Sequence, residues 1–329
     1  MVASPEICRL QTVASPEADL LRTQPSMRMG DRPIRLRVAA VAALWCVLGG
    51  PSGAEAASRE RQHGFAASGG ERIYYESAGR GDAVVLCHGA GGNHLVWFQQ
   101  VPAFAPSYQV ITWDQRGFGR STNHADMAGP PAAVTDLRRV LARVGVTKVH
   151  LVAQSMGGWT ALGFALAHPE QVRSLVLSGT TAGIDTPGVR KALEVYLAEL
   201  AQAPDPHELP LGQHPALLDE FVRRDPTRAF LYQEISLLNE GSAGGLSQKK
   251  TWYGRAALAA VRVPVLFVVG SDDRIFRPAV IREAATALPQ AEVVEIPHAG
   301  HSPYYEQPEE WNRVVLDFVR RATASTESK

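Results

Sequence analysis

The chain has 329 residues with a mass of 35.5 kDa; 45% are hydrophobic and 20% charged, which excludes a collagen-like or wholly disordered polypeptide. Lys plus Arg equals Asp plus Glu at 33 each, so no basic field favours nucleic acid as a partner. Cys8, Cys46 and Cys87 compose neither a disulfide framework nor a metal quartet, and no apolar run reaches the roughly eighteen residues of a polytopic membrane protein.

Residues 1–56 are expected to be an N-terminal extension ending in a secretory signal. Arg28, Arg32, Arg35 and Arg37 precede an uncharged run from Val38 to Leu48. A Gly/Pro break follows, then Ala54-Glu55-Ala56. A basic n-region, a short apolar h-region and an A-x-A site form the export pattern, and translation from Met27 or Met29 would shorten the leader. A non-cleaved hydrophobic helix is the alternative. Cleavage after Ala56 leaves Cys87 as the lone thiol, at the end of the apolar run AVVLC and expected to be buried and inert.

Beyond the leader, strand and helix patterns alternate. ERIYYES (71–77) alternates like a half-exposed antiparallel strand. AVVLC (83–87), QVITW (109–113), KVHLVA (148–153), VRSLVLS (172–178), VPVLFVV (263–269) and AEVVEI (291–296) are short and rich in β-branched residues. Most lack alternation, as strands covered on both faces do. Helices are expected over Ala133–Val144, Trp159–His168, Pro278–Leu288 and Pro308–Ala322. This alternation predicts a doubly wound α/β core from residues 57–182 and 261–329. Residues 183–260 carry no strong strand signal. They offer the helical pieces TPGVRKALEVYLAELAQ, PALLDEFVRRDP and TRAFLYQEISLLN, the pattern of a helical cap inserted between two strands.

The chemistry is concentrated at the ends of the strands. Ser155 follows KVHLVA and precedes a helix, in A-Q-S-M-G-G. A serine on a tight strand-to-helix turn has its hydroxyl pushed above the sheet, and small neighbours relieve the crowding. Gly157 and Gly158 meet that need, while Ala153 stands where glycine is usual. A helix N-cap serine is the other reading of the same letters. His301, in H-A-G-H-S-P-Y, leaves the last strand on a loop that can reach Ser155. An imidazole there would take the hydroxyl proton and return it to a leaving group. His298 is the local competitor. Asp273, after VPVLFVVG, would hold the imidazole in one tautomer; Asp272 is its rival, and a turn-forming aspartate the alternative for both. The order Ser155, Asp273, His301 is nucleophile, acid, base. Glycine-rich His88-Gly89-Ala90-Gly91-Gly92 leaves amides free for an oxyanion, the expected donors being Ala90 and Met156. It lacks the Lys-Ser/Thr of a phosphate loop. His88, Asp114 and Arg116 are expected to fix loops. His298 and His301, three apart on a loop, make a poor metal site, and Glu295 and Glu306 are expected to be solvated.

HGAGG at 88–92, DQRGFGRS at 114–121, AQSMGG at 153–158, GSDD at 270–273 and GHSPYYEQPE at 300–309 resemble the α/β-hydrolase family in its capped, esterase-like branch. The resemblance runs from about Phe65 to the C-terminal helix. It implies a mostly parallel eight-stranded sheet with helices on both faces, a lid after the sixth strand, and the roles above for Ser155, Asp273, His301, Ala90 and Met156. Ser155 stands where dehalogenases and epoxide hydrolases of the family carry aspartate, so acyl chemistry is expected, with no cofactor and no metal. The expected function is hydrolysis of a small or medium uncharged ester or lactone through an acyl-enzyme. The alternatives are carbon–carbon hydrolysis of meta-cleavage type and a non-catalytic ligand-binding member of the fold. Trp97, Phe98, Trp159, Tyr196, Tyr232 and Trp252 are the expected substrate-contacting aromatics, with ordinary packing as the competing reading for each.

Overall fold

The computed structural model describes residues 61–327, except 125, 127, 205–207 and 240–250. The expected leader, with its cleavage site, lies outside the described residues.

The sheet has eight strands: β1 (Arg61–Ser68), β2 (Glu71–Ala78), β3 (Ala83–Cys87), β4 (Gln109–Trp113), β5 (Val149–Gln154), β6 (Val172–Ser178), β7 (Val265–Gly270) and β8 (Ala291–Ile296). Their order is β1-β2-β4-β3-β5-β6-β7-β8, antiparallel at the β1–β2 and β2–β4 pairs and parallel elsewhere. Strands β3, β5 and β7 are buried at every residue, the physical reason β3 and β7 read as unbroken apolar runs and β5 departs from one only at His150 and Gln154. Successive residues still face opposite ways. Val85, Cys87, Leu151 and Phe267 join one core cluster, and Val84, Leu86, Val152 and Leu266 the other.

Helices α2 (Pro130–Val144), α3 (Gly157–Ala167) and α8 (Pro278–Ala285) contribute Leu137, Leu162 and Ile281 to the first cluster. Helix α1 (Gln100–Phe104) and the C-terminal helix α10 (Pro308–Glu327) contribute Phe104, Trp311, Val315 and Phe318 to the second. Each such side chain, removed from water, stabilises the layers by roughly 1.5–3 kcal/mol. Cys87 is fully buried, and burial pushes its thiol up to about 12, so it is inert as expected.

Between β6 and β7 lie α4 (Pro187–Leu200), α5 (Asp219–Arg224), α6 (Pro226–Leu237) and α7 (Arg255–Leu258). The segment PALLDEFVRRDP is helical over α5, and its last residue, Pro226, opens α6. Leu218 is extended, at φ −74° and ψ 141°, and its amide bonds to a side chain far away in sequence. The short helix α9 (Pro303–Glu306) precedes α10. Among the described residues no helix is long and apolar enough to cross a membrane.

Candidate active site

Ser155 sits between the last residue of β5 and the first of α3, with φ at +48°. A non-glycine residue held there costs on the order of 1–3 kcal/mol, so its surroundings must enforce it. Two bonds do so: the Ser155 amide donates to the Ser178 carbonyl at 3.0 Å, and the Gly158 amide donates to the Ser155 carbonyl at 2.9 Å. A Cβ on Gly157 would lie 2.4 Å from the Cys87 carbonyl oxygen, and one on Gly158 2.5 Å from the Thr180 side chain, so only glycine fits at either position. Ala153, by contrast, is fully buried inside β5, opposite Cys87 and Leu177, and its methyl joins the core. The N-cap of α3 is Met156, which removes the capping reading of Ser155.

The loop after β8 brings the His301 ring to this bend. His301 Nε2 lies 2.9 Å from Ser155 Oγ, and Nδ1 lies 2.9 Å from Asp273 Oδ2. Oδ1 of Asp273 accepts from the amides of Ile275 and Phe276 at 2.8 and 2.9 Å. With both carboxylate oxygens committed as acceptors, the Nδ1 proton belongs on the Asp273 side and the Nε2 lone pair faces the hydroxyl. Asp273 and His301 are buried while Ser155 is partly exposed. The rivals sit elsewhere. Asp272 is exposed and accepts from Ser271 Oγ; His298 is exposed and its amide donates to the same hydroxyl.

Met156 directly follows the serine, and Gly89, the residue before Ala90, lies against it: a Cβ built on Gly89 would be 3.0 Å from Ser155 Cβ. His88 holds the first loop. Its ring is fully buried; Nδ1 donates to the Gly89 carbonyl at 2.8 Å and Nε2 accepts the Gln115 amide at 2.9 Å. Burial pushes this imidazole down to about 4, so it stays neutral. The Gln115 side chain returns a bond to the His88 carbonyl at 2.8 Å and accepts from Thr160 on α3 at 2.6 Å. Asp114 accepts from the His94 and Arg120 amides, and Arg116 makes a two-bond ion pair with buried Asp136 on α2. All three fix loops rather than reach the serine.

The expected aromatics separate. Trp97 is a correction: it is fully buried in the core, 4.6 Å from Tyr304 and 6.2 Å from Trp311 by ring centroids, and has no surface to offer a substrate. Trp159 is also packed, its indole donating to the Thr251 carbonyl at 3.1 Å. Phe98 is exposed beside Tyr305. Trp252 is half-buried beneath the Arg190 guanidinium, 4.6 Å from its ring. Tyr196 lies 6.2 Å from Phe276, whose ring is 5.8 Å from His301; burial and then the Asp273 charge raise its hydroxyl pKa. Tyr232 is buried and bonds Ser302 Oγ, next to His301, at 2.9 Å.

Two residues near the site escaped the sequence. His214, in the insertion, meets Tyr232 edge to face and comes within range of Ser236, and burial followed by the His301 charge pushes it down to about 4. Glu306 is buried, not solvated as expected; its neighbour in that expectation, Glu295, pairs with Arg282 near the surface. His214 lies in no pattern that singles it out in one dimension, whereas Glu306 falls inside the GHSPYYEQPE motif without any sign there of its burial. Among the described residues, no group of three or more His, Cys, Asp or Glu side chains is placed to hold a metal.

Residues 82–308 match the family model described as alpha/beta hydrolase fold. A 2-hydroxy-6-oxononadienedioate/2-hydroxy-6-oxononatrienedioate hydrolase of Burkholderia vietnamiensis is 32% identical over 271 residues, covering 76% of this chain and 91% of the relative. A pimeloyl-[acyl-carrier protein] methyl ester esterase of Yersinia enterocolitica is 27% identical over 266 residues, covering 77% and 99%. Among solved structures, a thermophilic esterase from Thermogutta terrifontis superposes with a TM-score of 0.62 at 26% identity, covering 80% of this chain and 99% of the other.

Proposed function

Because this chain belongs to the alpha/beta hydrolase fold family and is a hydrolase, we propose that it cleaves a small or medium uncharged carboxylic ester or lactone through an acyl-enzyme on Ser155. The observation that carries the reading is the hydrogen-bonded relay from Asp273 through His301 to a partly exposed hydroxyl on a strained bend.

In the first half-reaction His301 Nε2 takes the Ser155 proton as Oγ bonds to the carbonyl carbon. The carbonyl π pair moves onto oxygen, and the amides of Ala90 and Met156 hold the resulting anion. Each such donor is worth roughly 10²–10³ in rate. The imidazolium, stabilised by Asp273, then protonates the departing alcohol as the tetrahedral carbon collapses. Water repeats the sequence on the acyl-enzyme and frees the acid. No step calls for a metal or organic cofactor. Asp273 keeps its two backbone donors throughout, so the imidazole holds one orientation through both halves.

The test is turnover of short p-nitrophenyl esters with and without a serine-directed phosphonate. Turnover abolished by the phosphonate supports the esterase; ligand binding without turnover supports a receptor built on the same fold. The likeness to a dienedioate hydrolase favours carbon–carbon cleavage as the second reading, decided by bleaching of a coloured dienone substrate. Export through the leader is part of the proposal, supported by the Arg28–Ala56 pattern, and N-terminal sequencing of the protein from its host's envelope fractions decides it.

A further inference from the structure

Glu306 closes α9, five residues after His301, and is 1% exposed. Its carboxylate spans two parts of the fold. Oε1 accepts the amide of Gly300, the residue before His301, at 3.1 Å. Oε2 accepts the amide of Leu218, at the entrance to α5 in the insertion, at 3.2 Å. The backbone of Glu306 is tied to the same two parts: its amide donates to the Ser302 carbonyl at 3.0 Å, and its carbonyl accepts from Arg224 Nη2 at 3.1 Å. A buried carboxylate with no apolar purpose is costly, and one that answers two orphan amides repays that cost only while it stays an acceptor on both sides.

We propose that Glu306 is a positioning residue that clamps the His301 loop to the helical insertion, so that the base and the structure covering it are held in register. The proposal rests on the reading of His301 as the catalytic base.

An ionised carboxylate accepts on both oxygens, whereas a protonated one turns an O–H toward one of the amides and releases that arm. The groups facing Glu306 are few. Asp273, on the loop after β7, raises its pKa; Arg224 of α5 meets its carbonyl; Tyr232 of α6 stays neutral, its hydroxyl pushed up to about 12; His301 and Ser302 lie on its own loop. Burial is the largest effect and, against three backbone amides, pushes Glu306 up to about 7. The clamp is therefore intact on the alkaline side of neutrality and loses one arm on the acid side.

The experiment is the pH dependence of acylation, read as the p-nitrophenolate burst, in the wild type and in Glu306→Gln. The amide keeps the shape but has one acceptor oxygen, and its NH2 faces the other donor. Acylation should fall on the order of 10²-fold with KM little changed, as for a misplaced catalytic group. The fall of the wild-type rate on the acid side of about pH 7, where Glu306 takes up its proton, should be absent from the variant. A wild type active on esters and labelled by phosphonate at Ser155, with E306Q matching its rate and profile, overturns the clamp alone. A wild type neither active nor labelled overturns the catalytic reading and the clamp with it. The wild-type profile needs no variant, so should E306Q fail to fold, a wild-type acylation rate that does not fall as pH drops through about 7 still overturns the clamp.

Discussion

Replacing Asp273 with asparagine tests the relay without changing its shape. The two oxygens of Asp273 are not equivalent: Oδ1 takes two backbone amides and Oδ2 takes His301 Nδ1. In Asp273→Asn the amide oxygen must stay with the two backbone donors, because turning the NH2 toward them leaves two buried N–H groups unanswered, at about 1–3 kcal/mol each. The NH2 therefore faces Nδ1, and the imidazole must carry its proton on Nε2, pointing at Ser155 with no lone pair to accept from it. The flipped arrangement that restores the base lies about 2–6 kcal/mol higher, a population of roughly 3 × 10⁻² to 4 × 10⁻⁵. The kcat for a p-nitrophenyl ester should drop by about that range, toward the 10⁴ typical of this substitution in serine triads. Thermal stability should change little. Asp272→Asn, at an exposed side chain, is the control and should keep its rate. A D273N enzyme within tenfold of wild type, or an Asp272 variant equally impaired, would refute the reasoning.

Ala153→Gly restores the usual glycine before the nucleophile. It should lower stability by about 1–2 kcal/mol, from a lost buried methyl and added backbone entropy, and leave kcat within a few-fold; a tenfold loss would mean the methyl shapes the bend. His88 and His150 are both fully buried and pushed down to about 4, below their unfolded value. Their contribution is present above about pH 6.5 and lost as pH falls through 4, roughly 3 kcal/mol each. Glu306, raised to about 7, acts with the opposite sign: its ionisation costs stability as pH climbs from about 4.5 to 7. With His214, also pushed down to about 4, three histidines outweigh one carboxyl, so the urea midpoint should fall from pH 7 to pH 4. His150→Asn, which loses a ring bonded to Ser174, should flatten that fall; an unchanged slope would contradict the assignment.

The central strands were legible in sequence because both faces are covered, so most residues had to be apolar and the few polar ones, such as His150, had to find a buried partner. Strand β1 was not, since it is an edge strand whose first residues, Arg61, Gln62 and His63, face solvent. The helical insertion was visible as a gap in the β–α alternation. Its middle piece was overestimated because Leu218 gives its amide to Glu306 rather than to a helix. Ser155, Asp273 and His301 could be nominated from strand-end motifs, since each stands where a parallel sheet ends and a loop begins. The aromatics could not be sorted. Trp97 and Phe98 are adjacent in sequence, yet one fills the core and the other meets solvent, a difference set by Tyr304 and Trp311 more than two hundred residues later. Glu306 was misread for the same reason: whether a carboxylate is solvated depends on which amides the tertiary fold brings to it.

Exposure to a fluorophosphonate, followed by intact-mass and peptide analysis, interrogates the nucleophile without knowing the natural substrate. One adduct per chain on the peptide containing Ser155 is expected, with none in Ser155→Ala and a turnover in that variant lower by on the order of 10⁶. An adduct on another residue, or an S155A protein that still hydrolyses esters at the wild-type rate, would contradict the assignment of this hydroxyl as the attacking group.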